Sequence, residues 1–274
     1  MTMTELVAAW PIFVALMATG VVAGLLAGLL GVGGGIVIVP VLFFLLQLFS
    51  VSADSAMLIA TATSLATIVP TALSSVRAHV SKGNVDIAIV RWWAGFILVA
   101  AVLGSLLAAR VAGAALTLMF ACIAIAVSLN MLFRASTPAL FASLPGRFGQ
   151  SLMALSVGLL SVMIGIGGGT LGVPLLNSCN VNAHRAVGTA AAFGLLIALP
   201  GVLTLLLVGE RPIDAPLGNI GLINLPAFIA IVPLTVLFAP LGARLGAALD
   251  QAQLKRIFAL VLMLTGARML YQLS

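Results

Sequence analysis

The chain has 274 residues, of which 63% are hydrophobic and only 7% charged. Soluble proteins carry roughly 25% charged residues, and a globule of this size needs a wettable shell. With a mean hydropathy of +1.31, the composition excludes a water-soluble enzyme, a nucleic-acid binder and a disordered chain. It leaves an all-α polytopic membrane protein. The net charge of +6 then reads as Lys and Arg held on one side of a bilayer.

The N-terminus carries Glu5 rather than Lys or Arg, and the apolar run after it is too long for a signal core. The first segment is expected to stay in the mature protein. Charged and turn residues then cut the chain into apolar blocks at about 8–48, 55–76, 92–109, 111–133, 148–183, 186–208, 222–243 and 257–271. One crossing needs about 20 apolar residues. The first and fifth blocks are too long for one. Each is interrupted by glycines, GVGGG at 31–35 and GIGGG at 165–169, and runs of glycine do not continue a helix. Each long block therefore reads as helix, break and short second arm, near 36–49 and 170–180. Whether those arms cross fully or re-enter is open at this point. Cys122 and Cys179 lie in apolar stretches, without disulfide or metal-ligand spacing.

The chain repeats itself. Gly24, Gly31, Gly33, Gly34, Gly35, Val39 and Pro40 align with Gly158, Gly165, Gly167, Gly168, Gly169, Val173 and Pro174 at an offset of 134. Gly104, Phe120 and Met131-Leu132 align with Gly242, Phe258 and Met269-Leu270 at 138. The reading is two repeats of about five helical segments, 1–134 and 148–274, joined by a cytoplasmic linker at 135–147. Matched glycine-broken helices point to a transporter and its midplane site. Charge decides the orientation. If each long block is a hairpin, the repeats are inverted. Arg77, Lys82, Arg91, Arg134, Arg147, Arg185, Arg244, Lys255 and Arg256 then share one side, against Arg110, Arg211 and Arg268. The single-crossing alternative splits the cations seven against five. The positive-inside rule prefers the inverted arrangement.

Candidate chemistry centres on the breaks. Gly31, Gly33, Gly34, Gly35 and Ile36, with Gly165, Gly167, Gly168, Gly169 and Thr170, would present helix N-termini. Their free N–H groups and partial positive charge suit an anion. Broken backbone at membrane depth is tolerated only where it is buried or lines a cavity. Close packing, as in the Gly20, Gly24 and Gly28 stripe, is the competing reading. GVGGGI does not complete a nucleotide fingerprint. Thr61, Thr63 and Ser64, and Thr189 in the corresponding stretch, can donate to an oxyanion or merely bond back to their own helix. Asn177 follows the second motif. Asn130, in a later helix with Ser128, reads as helix glue. His79, His184 and Arg185 read as interface residues, with Arg185 also able to attract anions to a cytoplasmic mouth. Glu5, Asp54, Asp86, Glu210, Asp214 and Asp250 all fall at block edges or in loops, so a carboxylate proton relay has no candidate. No enzymatic motif is present, and no cofactor or metal is expected.

The pattern GLLAGLLGVGGGIVIVPVL, repeated as VGLLSVMIGIGGGTLGVPLL, resembles the TauE/SafE family of sulfite and organosulfonate transporters. ATATSL, RAHVSKGNVD and APLGARLGAAL extend the resemblance over nearly the whole chain. It departs in the second half, which lacks the basic loop of Arg77, His79 and Lys82, and where the TS of Thr63-Ser64 becomes Thr189-Ala190. The resemblance implies export of a small sulfur oxyanion or sulfonate from a multi-pass position in the inner (cytoplasmic) membrane. The partners expected are that small anion and the lipid bilayer, not nucleic acid, with a homodimer left open. An anion channel using the glycine motifs as a filter, and an importer of sulfonates or carboxylates, remain as alternatives.

Overall fold

The structure is a computed structural model that describes residues 3–133, 140–245 and 251–273. Arg134 and Pro138 of the expected linker, and Asp250, lie outside these. The described residues form ten helices and one minimal hairpin. In chain order they are α1 (Met3–Leu30), α2 (Gly35–Leu48), α3 (Ala53–Val80), α4 (Ile87–Ala108), α5 (Gly113–Phe133), α6 (Arg147–Met163), α7 (Gly169–Ser178), α8 (Ala183–Val208), β1 (Asn219–Ile220), β2 (Ile223–Asn224), α9 (Leu225–Leu245) and α10 (Gln251–Tyr271). The protein is an all-α polytopic membrane protein. Six of the helices are long and apolar enough to cross a bilayer.

The helices start where the sequence supplies caps. Side chains of Ser52, Asp86, Asn182 and Asn224 accept from backbone N–H groups in the first turns of α3, α4, α8 and α9, meeting the demand of otherwise unpaired donors. Both long blocks break at their glycines. α7, with 10 residues, is about 15 Å long, half of the hydrocarbon thickness. α2, with 14 residues, is about 21 Å. α3 extends further than its apolar block, carrying Arg77 and His79 into its last turn.

α3 is the centre of the bundle: 78% of an apolar 18-residue stretch of it is buried, against 28% for that of α9. It contacts α2, α5, α8, α9 and β2. Around it, α1 packs along α9 and α6 along α4. The first pair meets through small residues in parallel register, Gly20 on Ile231, Gly24 on Thr235 and Gly28 on Ala239. The second pair repeats this, with Gly158 on Ile97 and Ala100, and Gly104 on Leu159 and Val162. Gly24 and Gly242 thus serve one seam, and their repeat-mates Gly158 and Gly104 the other. For this stripe the packing explanation holds, since small residues let backbones approach in a solvent that gives apolar side chains no reason to associate.

The cations separate by end. Lys82 Nζ donates to the carbonyl of Ala243 at 2.7 Å, Arg185 pairs with Asp86 at 2.9 Å, and the Arg147 guanidinium lies 4.9 Å from the Trp92 ring centre. Lys82, Arg147 and Arg185 thus lie at the end where α3 finishes, with Arg77 and Arg244 lining one groove beside Lys82 and Arg91 near the start of α4. Arg110 and Arg211 share a pocket of about 660 Å³ with Asp54 and Glu210, at the end where α3 begins. Arg268 sits 5.0 Å from the Phe44 ring centre, near the same end.

A Cβ at Gly28 would overlap the Ala239 carbonyl oxygen. Gly28→Val is therefore expected to lower the thermal midpoint in detergent, the overpacking costing about 1–3 kcal/mol or more. Gly95→Ala, whose Cβ would meet nothing within 4 Å, should leave the midpoint in place or raise it slightly.

Candidate functional site: the glycine crossing

The loops 31–34 and 164–168 meet at the centre of the bundle, and every residue in them is buried. Gly31 and Gly165 both adopt positive φ, +65° and +71°, a region in which L side chains are strained. Beyond that point the loops diverge. Gly33 and Gly34 stay at positive φ, whereas Gly168 has φ −58°.

The two backbones touch reciprocally. A Cβ at Gly35 would stand 2.5 Å from the Gly165 carbonyl oxygen, and one at Gly169 would overlap that of Gly31. Between them, a Cβ at Gly33 would lie 3.0 Å from Gly167 Cα. Each loop also seats on the long helix of the other half, Gly31 against Val187 of α8 and Gly165 against Thr61 of α3. Val187 stands two residues before Thr189, and Thr61 two before Thr63. The pairing of Thr63 with Thr189 is thus kept in space.

Both threonines serve the opposite half. Thr63 Oγ1 accepts from the Asn224 N–H, and Thr189 Oγ1 from the Asp86 N–H, each at 2.9 Å. Asp86 and Asn224 cap α4 and α9 at an offset of 138. Ser64 Oγ donates to the Gly165 carbonyl at 2.7 Å. Its counterpart Ala190 has no such group.

Three hydroxyls around the second loop have no partner among the described residues: Thr61 Oγ1, Thr170 Oγ1 and Ser161 Oγ. Their residues are no more than 2% exposed. A buried polar group left unpaired costs about 1–3 kcal/mol, so such groups ask for a ligand or a water. The asymmetry is systematic. Thr61, Ser64, Ser161 and Thr170 gather at the second loop. The matching positions at the first are Val187, Ala190, Ala27 and Ile36.

The structure therefore brings together Gly31, Gly33, Gly34, Gly35, Ile36, Gly165, Gly167, Gly168, Gly169 and Thr170, with Thr63, Ser64 and Thr189 on the flanking helices. Asn177 is not among them. It lies on the last turn of α7, about 12 Å along the helix from Gly169. Its neighbours fasten that end to the segment before α6, where Ser178 O accepts from the Phe141 N–H and Asn180 Nδ2 donates to Ala142 O. Arg185 is not a free cation, being paired with Asp86. His184 is exposed at the helix end. His79 differs from the sequence reading: it is buried at 4% exposure, with Nε2 3.1 Å from the Gly28 carbonyl.

Two features escape the sequence. Phe193 presses its Cβ against Gly168, and its ring stacks on Trp93 at 5.0 Å and 6°; Trp93 Nε1 in turn donates to Gln150 Oε1. The hairpin before α9 inserts a buried amide pair, Asn224 Nδ2 donating to Asn219 Oδ1. No Asp or Glu of the described residues reaches the crossing. Asp54, Asp86, Glu210 and Asp214 all stand at helix ends or in loops.

A buried broken-helix crossing inside a bundle with six membrane-length helices is the architecture of a membrane transporter. The chain belongs to the sulfite exporter TauE/SafE family, whose model matches residues 16–269. It is 32% identical over 250 residues to a probable membrane transporter protein of Haemophilus influenzae, covering 91% of this chain and 95% of that one. It is 27% identical to the probable membrane transporter protein YunE of Bacillus subtilis, covering 95% and 98%. No solved structure gives a significant match.

Thr63→Val and Thr189→Val each strand a backbone N–H. Each is expected to cost about 1–3 kcal/mol in detergent unfolding, with Ser at either position restoring most of the loss. Outside the membrane spans, a hydrogen bond from Ser55, then one from the Ser52 N–H, hold the Asp214 carboxyl below its ordinary range. This docking of the 209–218 loop is present above the unfolded pKa and is lost as pH falls through the folded one. Asp214→Asn should flatten that acid-side loss in a pH series of proteolysis at the loop.

Proposed function

We propose that the chain exports a small sulfur oxyanion, sulfite or an organosulfonate, across the inner membrane by alternating access at the glycine crossing. The observation that carries this is the set of unpartnered buried hydroxyls, Thr61, Ser161 and Thr170, beside two helix N-termini. Hydroxyl donors and N–H groups stabilise an oxyanion without a buried cation. The remaining expected residues act around them. Gly167, Gly168 and Gly169 let the anion approach α7, Ser64 fixes the Gly165 carbonyl, and Thr63 and Thr189 hold the two halves in register. The fit to sulfite or sulfonate draws further support from the family's description as sulfite exporters.

Alternating access follows from how the halves are built. We read them as inverted, with the N-terminus outside and the Arg77, Lys82 and Arg244 end in the cytoplasm. Support comes from the exchanged seams α1–α9 and α6–α4, the exchanged threonine bonds, and the separation of the cations. Direct backbone contact at Gly33 and Gly167 occludes the route at its centre, which suits a carrier better than a channel filter. Moving one negative charge outward from a negative interior releases about 2.3 kcal/mol per 100 mV. No coupling proton, and so no buried carboxylate, is then required.

Sulfite efflux from proteoliposomes should accelerate with an interior-negative potential; flux indifferent to the potential overturns the electrogenic reading. Thr61→Val and Thr170→Val should cut flux by roughly tenfold or more, the worth of a hydrogen bond to a charged group. Both should leave the thermal midpoint unchanged or raised, because the hydroxyl removed has no protein partner. Loss of stability with unchanged flux would overturn the site.

A further inference from the structure

A groove of about 480 Å³ runs between α3 and α9, away from the glycine crossing. Its deeper walls are apolar, with Leu73 on one helix and Val236 and Pro240 on the other. Arg77, Lys82 and Arg244 close one end, and no Asp or Glu lines it. Arg77 and Arg244 are exposed and have no acidic partner among the described residues. Lys82 Nζ spends one of its three donors on the Ala243 carbonyl. A hydrogen bond from Ser74 Oγ to the Val236 carbonyl, at 2.9 Å, ties the floor together. Leu73, Leu237 and Leu241, all more than a third exposed, place the groove on the apolar perimeter of the bundle.

We propose that this groove is a binding site for an anionic phospholipid. The phosphate would sit among Arg77, Lys82 and Arg244, and one acyl chain would lie along Leu73, Val236 and Pro240. Charge complementarity names the headgroup: three cations gather at a helix end with no carboxylate among the described residues lining the groove. The geometry names the tail. From Leu73 to Arg77 and from Val236 to Arg244 the walls run about 6 to 12 Å inward from the charges, a length that a free inorganic anion would leave unfilled. Basic pockets between helices on the cytoplasmic side are where acidic headgroups bind.

The test uses the full-length chain, purified and delipidated in detergent, with bound lipid counted by native mass spectrometry. Phosphatidylglycerol should bind in preference to phosphatidylcholine. In the Arg77→Gln/Arg244→Gln variant its affinity should fall by roughly tenfold or more, the effect expected of two surface cations. Val236→Trp, which fills the tail channel and leaves all three charges, should weaken it similarly. Equal binding of the two lipids by the unmodified chain overturns the proposal without any variant. So does phosphatidylglycerol binding unchanged in both variants. Displacement of the lipid by millimolar inorganic phosphate, with Val236→Trp unaffected, would identify a free-anion site instead and overturn the lipid.

Discussion

A backbone that leaves helical geometry inside a bilayer must find cover for its N–H and C=O groups without water. Here the Gly165 carbonyl accepts from Ser64 of the other half, and the two breaks lie directly against each other. Gly35 lies on the carbonyl of Gly165 and Gly169 on that of Gly31, contacts that only residues without a Cβ permit. A side chain at either position would separate the loops. The glycines at 31 and 165 answer a different need, the positive φ that turns the chain back. One motif on its own would have no surface soft enough to receive it.

The same reciprocity extends outward. α1 finds its seam on α9 and α6 on α4. Thr63 satisfies the start of α9, and Thr189 the start of α4. Neither half is complete alone. The apolar seams are broad and uniform, whereas the polar ties between halves are few and local. One of them, Arg185 with Asp86, has its arginine 55% exposed, and exposed pairs are worth at most about 1 kcal/mol.

Much of this was legible in the residues. The glycine motifs announced the breaks because no apolar helix needs three consecutive glycines, and the described cations placed above lie toward the helix ends because a bilayer tolerates them only there. What stayed hidden is the partner of each surface. Phe193 reads like any lipid-facing phenylalanine, since in a chain that is apolar all round no periodicity marks the inner face. The burial of His79 depends on α1 arriving beside α3, which nothing near His79 in the sequence indicates. The roles of neighbouring threonines were also beyond reach. Thr63 caps a helix of the other half and Thr61 is left unpaired, a distinction set by helix phase against a loop about a hundred residues away.

Duplication made two loops, yet the loops are not chemically equal. Thr61, Ser64, Ser161 and Thr170 surround the second, where Val187, Ala190, Ala27 and Ile36 surround the first. The backbones share the positive φ of Gly31 and Gly165 but diverge at Gly34 and Gly168, and the side chains around them differ as well. An anion held by hydroxyls would therefore sit off the centre, against the second loop and the N-terminus of α7, with Phe193 and Trp93 stacked behind Gly168. The first loop supplies the opposing wall, apolar and built of backbone. The hydroxyls come from both repeats, Thr61 and Ser64 from the first and Ser161 and Thr170 from the second, so a relative movement of the two halves would open the polar cluster itself.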